Sequence, residues 1–310
     1  MNYLLLLIGF LILILGGNWL LKAAVALSLR LGIPKIVIGM TVVSFATSAP
    51  ELIVSLKSAL DGHADIALGN VIGSNIANIG LVLGIVTLVS TINIEKSFYI
   101  IDWPIMMLSS VLFYFFLSND GLLEGYEGLI LFSLLIIFLV YLFKFQKPAV
   151  VDEMPEDDKK LPIYLTLIYL ALGAVGLWGG SEFLIDGAVN LAHDFEVEER
   201  IIGITIISIG TSIPELAASL VAVIKKEKAI SIGNIIGSNM FNILAVMGLT
   251  SMITPIQVKD QGLLTFDILW MLYFAIIILP LVFTPGRMKL GWKEGLIFLG
   301  SYIAFLIFLL

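Results

Sequence analysis

Two glutamates pose the chemical question. Glu51 and Glu215 each follow a proline inside an apolar stretch, in Gly39–Leu60 (GMTVVSFATSAPELIVSLKSAL) and Gly203–Ile224 (GITIISIGTSIPELAASLVAVI). A carboxylate near the middle of a membrane-spanning helix costs about 3 kcal/mol even on lenient scales, so it marks a functional position. The prolines add a second kind of oxygen. Proline has no N–H to donate and crowds the carbonyl four residues back, so Pro50 releases the carbonyl of Ala46 and Pro214 that of Gly210. In hydrocarbon a released carbonyl has to find a partner, and a bound cation is a suitable one. Thr47 and Ser48 precede Glu51 by four and three residues, which puts hydroxyls and carboxylate on one helix face, and Ser44 extends that face by a turn. Thr211, Ser212 and Ser208 hold the matching positions before Glu215.

A second constellation follows each of these stretches. Asn70, Ser74 and Asn78 fall at i, i+4 and i+8, a single helical stripe flanked by Gly73 and Ala77, small residues that permit close helix approach. Asn234, Ser238 and Asn242 repeat it beside Gly237. Every polar side chain singled out in the four motifs offers oxygen as carboxylate, amide carbonyl or hydroxyl, the donor set that hard cations such as Ca²⁺ and Na⁺ prefer. Two carboxylates carry −2, which balances one Ca²⁺. Taken singly, each copy also reads as a kinked packing helix whose hydroxyls satisfy their own backbone. The duplication argues against that. The offset is 215 − 51 = 164 residues, and it holds without a gap from Thr47-Ser48-Ala49-Pro50-Glu51 through Gly69-Asn70 and Gly73-Ser74-Asn75 to Asn78.

The elements that carry these motifs belong to a membrane protein. The chain has 310 residues, 59% hydrophobic and 13% charged, with a mean hydropathy of +1.07, whereas a soluble domain has about 25% charged residues. Ten stretches reach the length of a bilayer span, at 3–27, 37–60, 67–90, 98–118, 124–145, 162–185, 201–224, 231–253, 263–283 and 291–310. Five helices per copy is an odd number, so the second copy enters the membrane from the opposite side. The expected architecture is an all-α polytopic membrane protein of ten transmembrane helices in two inverted five-helix repeats. Residues 1–145 form the first repeat, 146–160 a charged linker and 161–310 the second repeat. Of the 17 Lys and Arg residues only Lys57, Arg200 and Lys259 fall on one side, leaving 17 − 3 = 14 on the other. By the positive-inside rule the fourteen are cytoplasmic. The chain is then expected as a multi-pass protein of the cell membrane with both termini extracellular and the linker cytoplasmic. No basic residue precedes the first apolar run, which reads as a retained helix rather than a cleaved signal.

Cysteine is absent, so disulfides and thiolate metal sites are excluded. The two histidines, His63 and His193, are expected in outward loops. Glu182, Asp186, Asp102 and Asp267 lie near helix ends, where acids reach water, and are expected to be interfacial. The net charge of −7 sits mostly in loops.

At the paired motifs, G-T…[AG]-T-S-x-P-E and G-N-x-I-G-S-N, the chain resembles the cation/calcium antiporter superfamily, in particular prokaryotic sodium/calcium exchangers. The resemblance covers nearly the whole chain and implies alternating access around midplane ion sites. It implies Glu51 and Glu215 as calcium ligands aided by Thr47 and Thr211, with Ser48, Ser74, Ser212 and Ser238 helping to bind sodium. Asn78 and Asn242 fall at the central positions. The archaeal exchangers and the potassium-dependent branch resemble each other in an aspartate where this chain has Asn242, and that is the one departure. The Gly-Asn-x-x-Glu motifs of calcium/proton exchangers are absent, which favours sodium as counter-ion; a proton-coupled or potassium-dependent exchanger is the alternative. An ion channel has no need of two matched inverted halves, and an intramembrane hydrolase would need a nucleophile with a base, which no intramembrane His or Lys supplies. The expected partners are Ca²⁺, Na⁺ and the lipid bilayer, without a cofactor, an enzymatic activity or nucleic acid. The sequence does not address oligomeric state.

Overall fold

A computed structural model describes residues 2–145, 161–194, 210–283 and 288–309. The linker predicted at 146–160, the first part of the predicted 201–224 span and Ser208 lie outside the described residues. Among those described, nine helices are long and apolar enough to cross a membrane. They are α1 (Asn2–Leu31), α2 (Lys35–Leu60), α3 (Ala64–Val89), α4 (Phe98–Asp120), α5 (Gly125–Phe145), α6 (Ile163–Asp194), α8 (Lys228–Ile253), α9 (Leu263–Phe283) and α10 (Trp292–Leu309). A shorter apolar helix, α7 (Ile213–Ile224), carries the second Pro-Glu pair. Four two-residue strands, β1 (Ile92–Asn93), β2 (Leu122–Leu123), β3 (Ile256–Gln257) and β4 (Lys289–Leu290), complete the regular structure. His193 falls within α6 rather than in a loop, while His63 is exposed in the α2–α3 turn.

The helices form two compact units, and each draws on both sequence halves: Met1–Thr47 with Leu139–Asn234, and Ser48–Phe138 with Ile235–Leu310. The division falls inside α5 and inside α2 and α8, the helices that carry the first Pro-Glu motif and the second Asn stripe.

In the first unit α1 lies against α6 along a seam of glycines. A Cβ on Gly16 would stand 2.7 Å from the Leu177 nitrogen, and one on Gly173 would stand 2.6 Å from the Leu20 nitrogen. Backbone therefore meets backbone, the mode by which membrane helices gain packing contact without a hydrophobic driving force between them. Leu13, Leu20, Leu21 and Ala24 of α1 pack with Leu177, Ala218, Val221 and Ala222 in the core of this unit. A Lys35–Glu227 ion pair at 2.7 Å joins the starts of α2 and α8.

The second unit is built on an internal two-fold relation. β1 pairs antiparallel with β4 (Ile92 opposite Leu290), and β2 pairs with β3 in the same sense (Leu123 opposite Ile256). Thr87 Oγ1 lies within hydrogen-bond distance of the Leu83 and Gly84 carbonyls, and Ser251 Oγ of those of Met247 and Gly248, each atom displaced by 164 residues. Phe98, Phe113, Phe274 and Phe298 fill its interior with Leu68, Ile72 and Ile76. Wider π-turns interrupt the helices at Asn78–Leu83 and Asn242–Met247, again 164 residues apart, and at Phe98–Asp102 and Leu263–Asp267. Single π-turns inside helices are frequent at functional sites.

Candidate cation site

The helices that carry the motifs are the buried ones. α8 is buried without a break from Ile230 to Gly248 and α3 over most of its length, as expected of helices apolar on every side. Their polar side chains are buried with them. Thr47, Glu215, Asn78, Ser238 and Asn242 are 0% exposed, and Glu51, Ser74 and Ser212 are 1% exposed.

In the first unit, Ser44 and Thr47 tie α2 to the start of α8. Ser44 Oγ lies within hydrogen-bond distance of the Gly39 carbonyl (2.8 Å) and the Asn234 carbonyl (2.9 Å). Thr47 Oγ1 donates to Asn234 Oδ1 at 3.2 Å, with the Ser44 carbonyl at 3.3 Å. Asn234 Nδ2 in turn donates to Ser219 Oγ at 3.1 Å. In the second unit Asn70 Nδ2 donates to Ser55 Oγ at 2.9 Å and lies 3.4 Å from the Glu51 carbonyl. The Asn70–Ser55 and Asn234–Ser219 bonds match at the 164-residue offset, so the first asparagine of each stripe holds its own helix to the Pro-Glu helix before it.

The two Pro-Glu motifs are built differently. α2 continues through Pro50, whereas α7 starts at Ile213 with Ser212 as its N-cap residue and Pro214 in its first turn, where a missing N–H leaves no helical bond unmade. Glu215 consequently stands in the first turn of a helix, where negative charge is favoured. The Gly210 carbonyl accepts a hydrogen bond from Ser181 Oγ at 2.9 Å. Ser181 is a 4%-exposed residue of α6 that motif reading did not select; its counterpart at the same offset is Gly17, so the repeat gave no signal for it. Ser212 Oγ is buried and finds no hydrogen-bond partner among the described residues.

The second unit brings the far ends of the two stripes together. Asn78 Nδ2 donates to Asn239 Oδ1 at 3.1 Å, and Asn242 Nδ2 donates to Asn75 Oδ1 at 3.1 Å. The remaining oxygens, Asn78 Oδ1 and Asn242 Oδ1, are buried with no hydrogen-bond partner among the described residues. A buried amide oxygen left without a donor costs about 1–3 kcal/mol, and an acceptor of this kind suits a cation. The sequence stripe is thus split in use: Asn70 and Asn234 join helices, while Asn78 and Asn242 present oxygen.

Two further expectations are corrected. Gly73 mediates no close helix approach among the described residues, where a Cβ on it would meet nothing within 4 Å. The close approach is instead at Gly39 and Gly233 in the first unit, where an added Cβ would strike the Ile230 and Ile36 carbonyls. Asp102 is not interfacial: it is 1% exposed, and neither of its carboxylate oxygens has a partner among the described residues. Asp267 occupies the corresponding π-turn and is half-buried. Glu182 and Asp186 are exposed, as expected.

Buried oxygen donors on apolar helices, repeated at a fixed offset, define a polytopic membrane transporter for cations. The model for the sodium/calcium exchanger protein family matches residues 1–144 and 165–310, and the chain belongs to that family. It is similar to the inner membrane protein YrbG of Escherichia coli, 35% identical over 317 residues that cover 97% of this chain and 94% of that protein. It is also similar to the sodium/calcium exchanger MaX1 of Methanosarcina acetivorans, 29% identical over 99% of this chain and 98% of the relative. Among solved structures, the sodium-calcium exchanger NCX_Mj superposes with a TM-score of 0.82 at 27% identity, covering 98% of this chain and 97% of that one. The fold is the all-α, polytopic, inverted-repeat architecture expected from the sequence, and the protein is a cation antiporter rather than an enzyme, its cargo ions carried without a cofactor.

Proposed function

We propose that the protein exchanges Na⁺ for Ca²⁺ by alternating access, with Na⁺ entering the cell as Ca²⁺ is extruded. The observation that carries the reading is the pair of buried amide oxygens on Asn78 and Asn242, repeat mates without a donor among the described residues, on the same helices as the buried hydroxyls of Ser74 and Ser238. Glu51 and Glu215 are the proposed Ca²⁺ ligands with Thr47 and Thr211. Ser48, Ser74, Ser212 and Ser238 are the proposed Na⁺ ligands, and Ser44, Ser208 and the carbonyls of Ala46 and Gly210 complete the polar face. Since Gly210 already accepts from Ser181, its carbonyl would meet a cation with its second lone pair.

The charge count bears on the coupling ion. Asn78 and Asn242 add no formal charge, so the motifs hold two carboxylates and −2. That balances one Ca²⁺ or two Na⁺, and a K⁺ held together with Ca²⁺ would leave an unpaired positive charge in a region of low dielectric. Exchange is therefore expected to proceed without K⁺. The test is ⁴⁵Ca²⁺ uptake into proteoliposomes under an imposed Na⁺, H⁺ or K⁺ gradient, one at a time and balanced with choline, for the native chain and for Asn242→Asp. Na⁺ alone should drive uptake by the native chain. Uptake driven by H⁺ alone would make the protein a proton-coupled exchanger, and silence until K⁺ is added would refute the charge count.

Orientation has its own test. The turns after α2 and α7 share one geometry: His63 N donates to the Ser58 carbonyl and Glu227 N to that of Ala222, and Gly62 and Lys226 both take positive φ, 83° and 67°. The basic-residue bias nevertheless assigns them to opposite sides, the Lys225-Lys226 turn cytoplasmic and the Asp61–Asp65 turn external. Single cysteines introduced into this cysteine-free chain should react with an impermeant maleimide on intact cells at Asp61 and not at Lys225. The reverse pattern would invert the assignment of both termini and of the linker.

A further inference from the structure

Four asparagines of the second unit lock one another's amides. Asn75 Nδ2 donates to the backbone carbonyl of Asn239 at 3.2 Å, and Asn239 Nδ2 donates to the backbone carbonyl of Asn75 at 3.4 Å. The Asn75 amide also reaches Met271 Sδ at 3.7 Å. A backbone carbonyl only accepts, so each of these two side chains must turn its NH₂ toward the other's backbone and its Oδ1 the opposite way. Those two oxygens then receive the NH₂ groups of Asn242 and Asn78, both at 3.1 Å. Oxygen facing oxygen at that distance would repel, so Asn78 and Asn242 are also left with one permitted orientation, Oδ1 turned out of the set. The oxygen and nitrogen of an amide are ordinarily interchangeable in shape and are assigned through their partners. Here two acceptor-only backbone groups decide all four.

We propose that Asn75 and Asn239 are positioning residues for cargo specificity: they hold the amides of Asn78 and Asn242 so that oxygen, and never NH₂, meets the transported cation. The proposal rests on the reading of Asn78 and Asn242 as cation ligands. A flipped amide would present two N–H dipoles and turn attraction into repulsion. Without Asn75 Oδ1 the Asn242 NH₂ loses the acceptor that fixes it, and both orientations become available. An aspartate at position 242 has oxygen on both sides and is indifferent to such a flip. The same holds for Asn239 with position 78, by the internal two-fold relation.

Equilibrium ⁴⁵Ca²⁺ binding to the purified full-length protein in detergent tests this without involving the coupling ion. Asn75→Leu should weaken Ca²⁺ binding roughly ten- to a hundredfold, the range of one hydrogen-bond-strength contact to a charge. In an Asn242→Asp background the same substitution should carry no such penalty, because Asn75 Oδ1 then faces an aspartate oxygen rather than an NH₂ and fixes no orientation. An equal penalty in both backgrounds makes Asn75 a packing residue and overturns the proposal, as does no penalty in the native background. Should Asn75→Leu fail to elute as a monodisperse species, Asn239→Leu with and without Asn78→Asp carries the same comparison. Loss of folding in both pairs, unrelieved by the aspartates, also overturns it. A native protein that binds no Ca²⁺ would instead sink the proposed function, a result separable from native binding that is insensitive to Asn75.

Discussion

Glu51→Gln and Glu215→Gln should each reduce Ca²⁺ flux to background while the protein still folds. Both carboxylates are buried, at 1% and 0% exposure, so solvent does little to screen them. Two unit charges about 4 Å apart interact by about 4 kcal/mol at an effective dielectric of about 20. With a divalent ion, removing one carboxylate sacrifices at least that much, and about 4 kcal/mol is already close to a thousandfold in affinity. Folding is expected to survive because a neutral amide is cheaper to bury than a charged carboxylate. The α7 terminus even retains Pro214 and Ser212 at its start when Glu215 is replaced. Glu51→Asp and Glu215→Asp keep the charge and withdraw it by one methylene, so each should retain measurable flux. The measurement is Na⁺-driven ⁴⁵Ca²⁺ uptake, normalised to monodisperse protein recovered from the liposomes. Near-normal flux in either glutamine variant would remove that carboxylate from the site.

Much of this was legible because the chain states its motifs twice. The 164-residue offset carries over into bonds: Asn70 to Ser55 and Asn234 to Ser219, and Asn78 to Asn239 and Asn242 to Asn75. What escaped the reading depends on tertiary partners. Asn75 and Asn239 stood within the quoted motifs but off the stripe of i, i+4 spacing, and their importance lies in which way they turn another residue's amide. Ser181 meets Gly210 from a different helix and has glycine as its repeat counterpart. Asp102 lies near the end of a helix in the sequence, yet at the close of the Phe98–Asp102 π-turn it is 1% exposed. The compact units divide inside α2, α5 and α8, a property of packing that no linear pattern of hydropathy records. Small residues misled in a particular way. Gly73 lies in a motif and has no close neighbour among the described residues, while Gly39, at the head of another stretch, is pressed against a neighbouring backbone.

That contact supports the second large effect: Gly39→Ala and Gly233→Ala should each destabilise the protein by about 2 kcal/mol or more, and the leucine variants should fail to fold. Overpacking in a well-packed interior typically costs about 1–3 kcal/mol, and here the obstacle cannot rotate aside. A Cβ on Gly39 would stand 2.5 Å from the Ile230 carbonyl oxygen and 3.1 Å from the Gly233 Cα, and a Cβ on Gly233 would strike the Ile36 carbonyl oxygen. Both obstacles are backbone atoms held in helices, so relief requires α2 and the start of α8 to separate. Separation stretches the hydrogen bonds that cross the same contact, Ser44 Oγ to the Asn234 carbonyl at 2.9 Å and Thr47 Oγ1 to Asn234 Oδ1 at 3.2 Å. The expected signature is therefore double, a lower unfolding midpoint together with a loss of Ca²⁺ affinity in whatever alanine variant still folds, because Thr47 would lose its fixed position. Gly73→Ala supplies the control: it changes a motif glycine with nothing among the described residues within 4 Å of the added carbon, and it replaces the poorest ordinary helix former with the best. It should be neutral or slightly stabilising. Thermal unfolding of the three alanine variants in one detergent, beside ⁴⁵Ca²⁺ binding, decides the matter. Native-like midpoints for Gly39→Ala and Gly233→Ala alongside a destabilised Gly73→Ala would place the tight crossing elsewhere.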